Sequence, residues 1–431
     1  MDEKNKWVKV GFTDIDGIFR GKLVHYSKFI SSPNISYCDV VFGWDLHDAV
    51  YPEDSVSGWK NGFPDAKATI DHTTKRDLPW DTNPLYIIDF SDDNTFSSVC
   101  PRSLLKRVLE ELKSYGYSVK VGFEYEWFNF KIAPETLKEP HLHSITTGMF
   151  GYSLTRLEDY PEFIHDLLHD LAKLDITLEG FHTETGPGVY EAAIRYDDAL
   201  PSADRASLFK HFTKIIGKRH GILPSFMAKW NEKLPGCSGH IHISVQNQNG
   251  ENISFSDPGK DQEAQHFLAG VIQYMDVLLP LYNPFVNSYK RLVSGSWAPT
   301  KAIWGIENRT ASVRIIPGVK GQDRFELRIP GADANPYIAL YACLKSGLQG
   351  VKNKIPLKQK KPVGNAYENT SVPDLPTNLG EAASRFYEHK DLRNWIDPKF
   401  IEHYYMTRML EYNQYQRAVT DWELRRYLEI I

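Results

Sequence analysis

Cysteine is scarce in this 431-residue chain: Cys38, Cys100, Cys237 and Cys343 lie far apart, which excludes a disulfide framework and any paired-cysteine metal site. Neither sign of charge dominates. With 50 basic residues against 55 acidic ones, the balance gives no reason to expect nucleic acid as a partner. Long apolar runs are missing as well. The most apolar stretch, Phe267 to Phe285, is broken by Gln273, Asp276, Pro280 and Asn283, so it reads as a buried or amphipathic helix and not as a membrane span. Met1 to Trp7 has no apolar core of a secretion signal, and a cytoplasmic location is expected. There is no Gly-x-x-x-x-Gly-Lys-Ser/Thr loop, no Gly-x-Gly-x-x-Gly after a strand and no Gly-x-Ser-x-Gly elbow. If a nucleotide binds, metals and arginines must cradle it.

Three short stretches stand out instead: Gly122-Phe-Glu-Tyr-Glu-Trp-Phe128, His240-Ile-His-Ile-Ser244 and Arg324-Phe-Glu-Leu-Arg-Ile329. Polar and large apolar residues alternate in each at period two, the signature of a strand with one buried face. Glu124 and Glu126 then share a face, as do His240, His242 and Ser244, and as do Arg324, Glu326 and Arg328. Phe123, Tyr125, Trp127, Ile241, Ile243, Phe325 and Leu327 point the other way, into a core. Carboxylates that face one another repel unless cations lie between them. The charged face is therefore expected to be a divalent-metal cavity with an arginine rim.

The length favours two domains. Residues 7 to 92 read as short strands and turns, with a hairpin from Val8–Phe12 and Ile18–Val24 about Asp16-Gly17, and strand-like runs at Val40–Trp44, Ala66–Ile70 and Leu85–Phe90. From Pro101 the spacing becomes helical. Further helices are expected at Glu162–Leu174, Leu208–Gly217, Gln262–Leu279, Tyr337–Lys352 and from Leu379 onward. The fold class expected is α+β, with a β-rich N-terminal domain over 1–99 and a larger domain over 100–431 built on an antiparallel sheet.

Thr183-Glu-Thr-Gly-Pro-Gly-Val-Tyr-Glu191 adds Glu184 and Glu191 to the acidic set. With His240 and Glu326 there are six candidate ligands, five of them carboxylates, a hard donor set suited to Mg²⁺ or Mn²⁺ and poor for zinc. Arg291, Arg309, Arg314 and Arg328 form the basic set, fit to grip a carboxylate and neutralise a moving phosphoryl group.

Phe123-Glu-Tyr-Glu126, Glu184 to Glu191, Gly236-Cys-Ser-Gly-His-Ile-His-Ile-Ser244, Asn287-Ser-Tyr-Lys-Arg291, Asn308-Arg-Thr-Ala-Ser-Val-Arg314, Arg324-Phe-Glu-Leu-Arg328, Asp333-Ala-Asn-Pro-Tyr337 and Pro373-Asp-Leu-Pro376 follow the order of the motifs of glutamine synthetases. The chain resembles that family over nearly its whole length. The resemblance implies an N-terminal β-grasp domain before a catalytic domain with a curved antiparallel sheet. It also implies a homo-oligomer, a dodecamer of two hexameric rings with active sites between subunits. By motif position, Glu126, Glu184 and Glu191 would hold one Mg²⁺ or Mn²⁺, and Glu124, His240 and Glu326 a second. Arg291, Arg328 and the Gly236 backbone would bind L-glutamate, Arg309 would act on the transferring phosphoryl group, and His242, Ser244 and Arg314 would contact ATP.

Two departures bear on the third substrate. Where the family's ammonia-using members carry a glutamate after Asn-Ser-Tyr-Lys-Arg, this chain has Trp297 in Val293-Ser-Gly-Ser-Trp-Ala-Pro299. An indole accepts no proton, but it can face an alkyl or cationic group. Trp-Ala-Pro followed by Trp304-Gly resembles the γ-glutamylpolyamine and γ-glutamylamide synthetase branch. Phe42-Gly-Trp-Asp-Leu-His-Asp48 replaces the segment that supplies an ammonium-binding aspartate, with Asp45 left to fill that role. The expected activity is ligation of glutamate to an alkylamine or polyamine through γ-glutamyl phosphate. The alternatives are an ammonia-using glutamine synthetase and, in another class, a catalytically inactive scaffold or regulator.

Overall fold

A computed structural model describes residues 6–32, 34–52, 55–91, 95–132, 142–256, 261–318, 322–358 and 364–431. β1 (Trp7–Thr13) and β2 (Phe19–His25) form the expected antiparallel hairpin. Gly17 adopts φ +83° at its tip, and the Asp14 carboxylate accepts the Asp16 and Ile18 N–H groups. β3 (Asn34–Cys38), β4 (Asp65–Arg76) and β5 (Leu85–Asp89) complete a five-stranded sheet in the order β2-β1-β5-β4-β3, with β1 and β5 parallel. Val40–Trp44 is not a strand. Asp39–Phe42 coils into a 3₁₀ turn closed by Gly43 N–H on the Val40 carbonyl, because only Phe42 of that apolar run is fully buried, stacked on Phe96 at 4.8 Å.

The larger sheet comprises β6 (Ser118–Lys131), β7 (Leu178–Thr183), β8 (Val189–Ile194), β9 (Asp197–Asp198), β10 (Ile222–Ser225), β11 (Gly239–Gln246), β12 (Trp304–Ile306), β13 (Val313–Ile316) and β14 (Arg324–Leu327). Its main path is β12-β13-β14-β11-β6-β8-β7, and β9 and β10 both pair with β6. Phe123, Tyr125 and Trp127 are buried on one face of β6. There Tyr125 stacks on Phe209 at 5.9 Å and Trp127 meets the same ring edge-on at 5.5 Å, both against the helix Ala199–Arg219. Burying each such ring is worth about 1.5–3 kcal/mol. A one-residue slip would put Glu124 and Glu126 into that core instead, so the packing fixes the register that aims them outward.

Helices cover the core side, giving the α+β architecture expected. The helix expected to run to Leu279 stops at Gln273. Pro280, which cannot donate to the carbonyl four residues back, instead starts a separate short helix at Leu279–Tyr282. The N-terminal sheet is held to the rest by a buried Asp16–Arg408 ion pair, by Asn335 Nδ2 donating to the Asp14 carbonyl at 2.8 Å, and by Ser55 Oγ at 2.6 Å from His403 Nδ1. Among the described residues no helix is long and apolar enough to cross a membrane.

Candidate active site

Strand register sets the site. Glu124 lies directly opposite His240 in the β6–β11 pair, Glu126 opposite Glu191 in β6–β8, and His182 opposite Glu191 in β7–β8. On the other side His242 faces Glu326 in β11–β14, and Glu326 faces Arg314 in β13–β14. One row of charged side chains thus crosses six adjacent strands. Directly opposite residues project from the same sheet face, so charges far apart in sequence are forced together.

Two clusters form along the row. Glu124, His240 and Glu326 each offer a ligand atom within 4.8 Å of the others. His240 Nδ1 is 3.1 Å from Glu124 Oε1 and 3.2 Å from Glu326 Oε1. Burial pushes the Glu124 carboxyl up, but hydrogen bonds to His240 and His242 outweigh it and hold the group well below the usual carboxylate range. Glu326 is likewise raised by burial, yet it is held low overall by the charges of His240 and Arg328. The second cluster is His182, Glu184 and Glu191. His182 Nε2 is 3.4 Å from Glu191 Oε1, and His182 Nδ1 is 3.8 Å from Glu184 Oε2. Gly186 and Gly188 take positive φ in the turn that returns the chain and sets both glutamates on one side. Burial, followed by the charges of Glu124 and Glu126, drives the Glu191 carboxyl upward. This end of the row holds more negative charge than its protein partners balance.

Those observations fit a cation-binding site. The donors are carboxylate oxygens with an imidazole at each cluster, matching Mg²⁺ or Mn²⁺. Among the described residues the buried His240 Nε2 has no hydrogen-bond partner. Glu126, expected beside Glu184 and Glu191, lies next to them in register, but its Oε2 accepts the Ser238 N–H at 2.8 Å. His182 escaped the sequence reading, although Phe181-His-Thr-Glu184 places His182 and Glu184 on one face by the same period-two rule. Tyr152, whose ring stacks on His182 at 4.3 Å, was missed too, for it lies in a loop without periodicity.

The arginines flank the row. Arg328, 5% exposed, donates to Glu326, and Arg314 bridges Glu326 and Glu307. Arg291 is buried and donates to the Ile329 and Arg328 carbonyls, both at 3.1 Å. Gly236 backs onto it: a Cβ there would meet the Ala228 carbonyl at 2.5 Å and Arg291 Cγ at 2.9 Å. Arg309 is exposed, forms no ion pair among the described residues and lies within electrostatic reach of Tyr152. Ser244 Oγ donates to the Asp323 carbonyl at 3.1 Å. Trp297 holds a positive φ of +61°, unusual for a bulky residue. The residue is 62% exposed while its carbonyl accepts from Arg328 Nη2 at 3.4 Å. Asp45 stands apart from the row within one chain: its carboxylate accepts the His47 and Ala49 N–H groups at 2.8 and 3.0 Å.

Residues 98–427, which carry this row, match the family model "Glutamine synthetase, catalytic domain". The chain belongs to the glutamine synthetase family. It is an ATP-dependent ligase of that family, whose members use divalent metals, bind ATP and glutamate and are generally oligomeric. It is 43% identical to "Type-1 glutamine synthetase 2" of Dictyostelium discoideum over 99% of this chain and 84% of that one. It is 34% identical to "Glutamate--isopropylamine ligase" of a Pseudomonas species over 98% of this chain and 95% of that one. Among solved structures, "Apo GmaS without ligand" superimposes with a TM-score of 0.84 at 27% identity, covering 99% of this chain and 98% of that one.

Proposed function

We propose that this glutamine synthetase relative joins L-glutamate to an alkylamine or polyamine, consuming ATP through a γ-glutamyl phosphate. The observation that carries the reading is Trp297, an exposed indole in a left-handed turn whose backbone is anchored to Arg328. It stands where ammonia-using relatives place a proton-accepting glutamate. The surface it offers suits an alkyl chain or an ammonium head. The name of the Pseudomonas relative, an isopropylamine ligase, points the same way.

In this reading Arg291, Arg328 and the Gly236 backbone hold glutamate, while His242, Ser244 and Arg314 face ATP. An oxygen of the γ-carboxylate attacks the γ-phosphorus and the bond to ADP breaks. Arg309, exposed beside the row, balances charge on the phosphoryl group in flight. The amine nitrogen then attacks the acyl carbon, phosphate leaves with the bonding pair, and the nitrogen loses a proton. Glu126, Glu184 and Glu191 would hold one divalent cation and Glu124, His240 and Glu326 a second, which would supply positive charge where two anions meet. The assembly is a dodecamer of two hexameric rings with active sites between subunits, so that Asp45 of one copy serves the amine end of the next.

A second reading, ligation of ammonia, is favoured by the name of the Dictyostelium relative. Phosphate release with glutamate, ATP and Mg²⁺ separates the two across ammonium, methylamine, isopropylamine, ethanolamine, putrescine and spermidine. Turnover with one or more of the organic amines above that with ammonium supports the proposal; turnover with ammonium alone overturns it.

A further inference from the structure

The helix Ala199–Arg219 carries Lys210, Lys214 and Lys218 on successive turns of one face, and none of them forms an ion pair among the described residues. Like charges four residues apart repel, so this arrangement costs stability when nothing neutralises it. Lys210 and Lys214 converge on one ring, their Nζ atoms 5.7 and 6.0 Å from the centroid of Phe226. Lys210 Nζ is also 5.6 Å from the ring of Tyr125. All three lysines line a cavity of about 730 Å³ whose walls include Ile18 and Phe19 of the N-terminal hairpin and Met227. Tyr125 belongs to the buried face of β6, so the cavity lies on the opposite side of the sheet from Glu124 and Glu126.

Counter-charge there is partial: the charge of Asp333 acts on Lys210 without forming an ion pair among the described residues. Lys210 is 8% exposed and spends one of its three donors on the Ala334 carbonyl at 3.0 Å. Burial, and then the charge of Lys214, pushes its amine down to about 7. Burial lowers Lys214 as well. Of the carboxylates on the cavity wall only Asp16 is spent in an ion pair, with Arg408; Asp333, which also accepts from Ser288, acts on Lys210 through its charge, and Glu411 accepts the Val286 N–H. His211 beside them is pushed down to about 4 by burial and adds no charge near neutrality.

We propose that this cavity is a second ligand site, distinct from the catalytic row, which binds a small multivalent anion with an apolar or ring-bearing body. The lysines grip the charged groups, and Phe226 with Met227 supports the rest. Phosphate esters and di- or tricarboxylates share that chemistry, and the volume is ample for either.

Calorimetric titration of the Mg²⁺-loaded protein with AMP, citrate, 2-oxoglutarate and inorganic phosphate, at constant ionic strength, distinguishes the sources. At least one anion should bind. Lys214→Ala combined with Lys218→Ala should weaken it about tenfold or more, Lys214→Arg should retain it, and turnover at saturating substrates should persist in both. No binding by any anion overturns the proposal. So does unchanged affinity in the double variant, or loss of the native oligomer on removing the lysines, which would assign them to a contact between copies.

Discussion

One nitrogen, His240 Nδ1, faces two carboxylates at once, Glu124 Oε1 at 3.1 Å from the strand on one side and Glu326 Oε1 at 3.2 Å from the strand on the other. Glu326 also receives Arg314 and Arg328, so a single buried carboxylate links the candidate metal position to the arginine rim. Glu326→Gln keeps the shape and removes the charge. It should lower Mn²⁺ affinity about 10- to 100-fold, and by leaving Arg328 buried without its counter-charge it should cost roughly 3–5 kcal/mol of stability. Thermal unfolding with and without Mn²⁺ reads both effects. An equal Mn²⁺-induced shift in wild type and variant would remove Glu326 from the ligand set.

Trp297 allows function and backbone to be tested separately. Holding a bulky residue at φ +61° costs on the order of 1–3 kcal/mol, which glycine relieves at some entropic expense. Trp297→Gly should therefore be stabilised by about 1 kcal/mol while losing preference for large amines. Trp297→Glu should gain turnover with ammonium. Denaturant midpoints and an amine panel measure the two outcomes.

Gly236→Ala probes the glutamate end. The added methyl would lie 2.5 Å from the Ala228 carbonyl and 2.9 Å from Arg291 Cγ, so Arg291 must move. KM for glutamate should rise about tenfold or more, with KM for ATP little changed. Parallel changes in both constants would mean that Gly236 serves only the packing.

Stability should also fall in acid through His403, buried on the helix Pro398–Arg417 and facing Ser55. Burial, helped by the charge of Arg408, pushes its imidazole from 6.5 down to about 3. A group whose folded pKa is depressed gives its full contribution above the unfolded value and loses it as pH falls toward the folded one. Urea midpoints should drop between pH 6.5 and about 3, with His403 supplying up to ~1.4 kcal/mol per pH unit. His403→Asn should flatten that part of the profile; an unchanged slope would assign the acid sensitivity to other groups.

Much of the architecture could be read from alternation alone. Phe123, Tyr125 and Trp127 had to be buried, so Glu124 and Glu126 had to face away, and the family motifs supplied the strands opposite them. Pairing was not legible. Nothing in the sequence says that His182 lies against Glu191 and not beyond hydrogen-bond reach, since that depends on the β7–β8 register and its shift between Leu178 and Gly180. Val40–Trp44 looked like a strand because apolar residues crowd there, but with only Phe42 needed by the aromatic cluster the chain was free to coil. Asp45 and Trp297 lie in loops, where periodicity carries no information.

The most direct test of the central claim is a competition. The Mg²⁺-loaded protein is given glutamate, ATP and equal concentrations of ammonium and isopropylamine, putrescine or spermidine, and the products are weighed by mass spectrometry. The account predicts that a γ-glutamyl alkylamide or polyamide exceeds glutamine in at least one of these mixtures. Glutamine as the sole product in every mixture would contradict it.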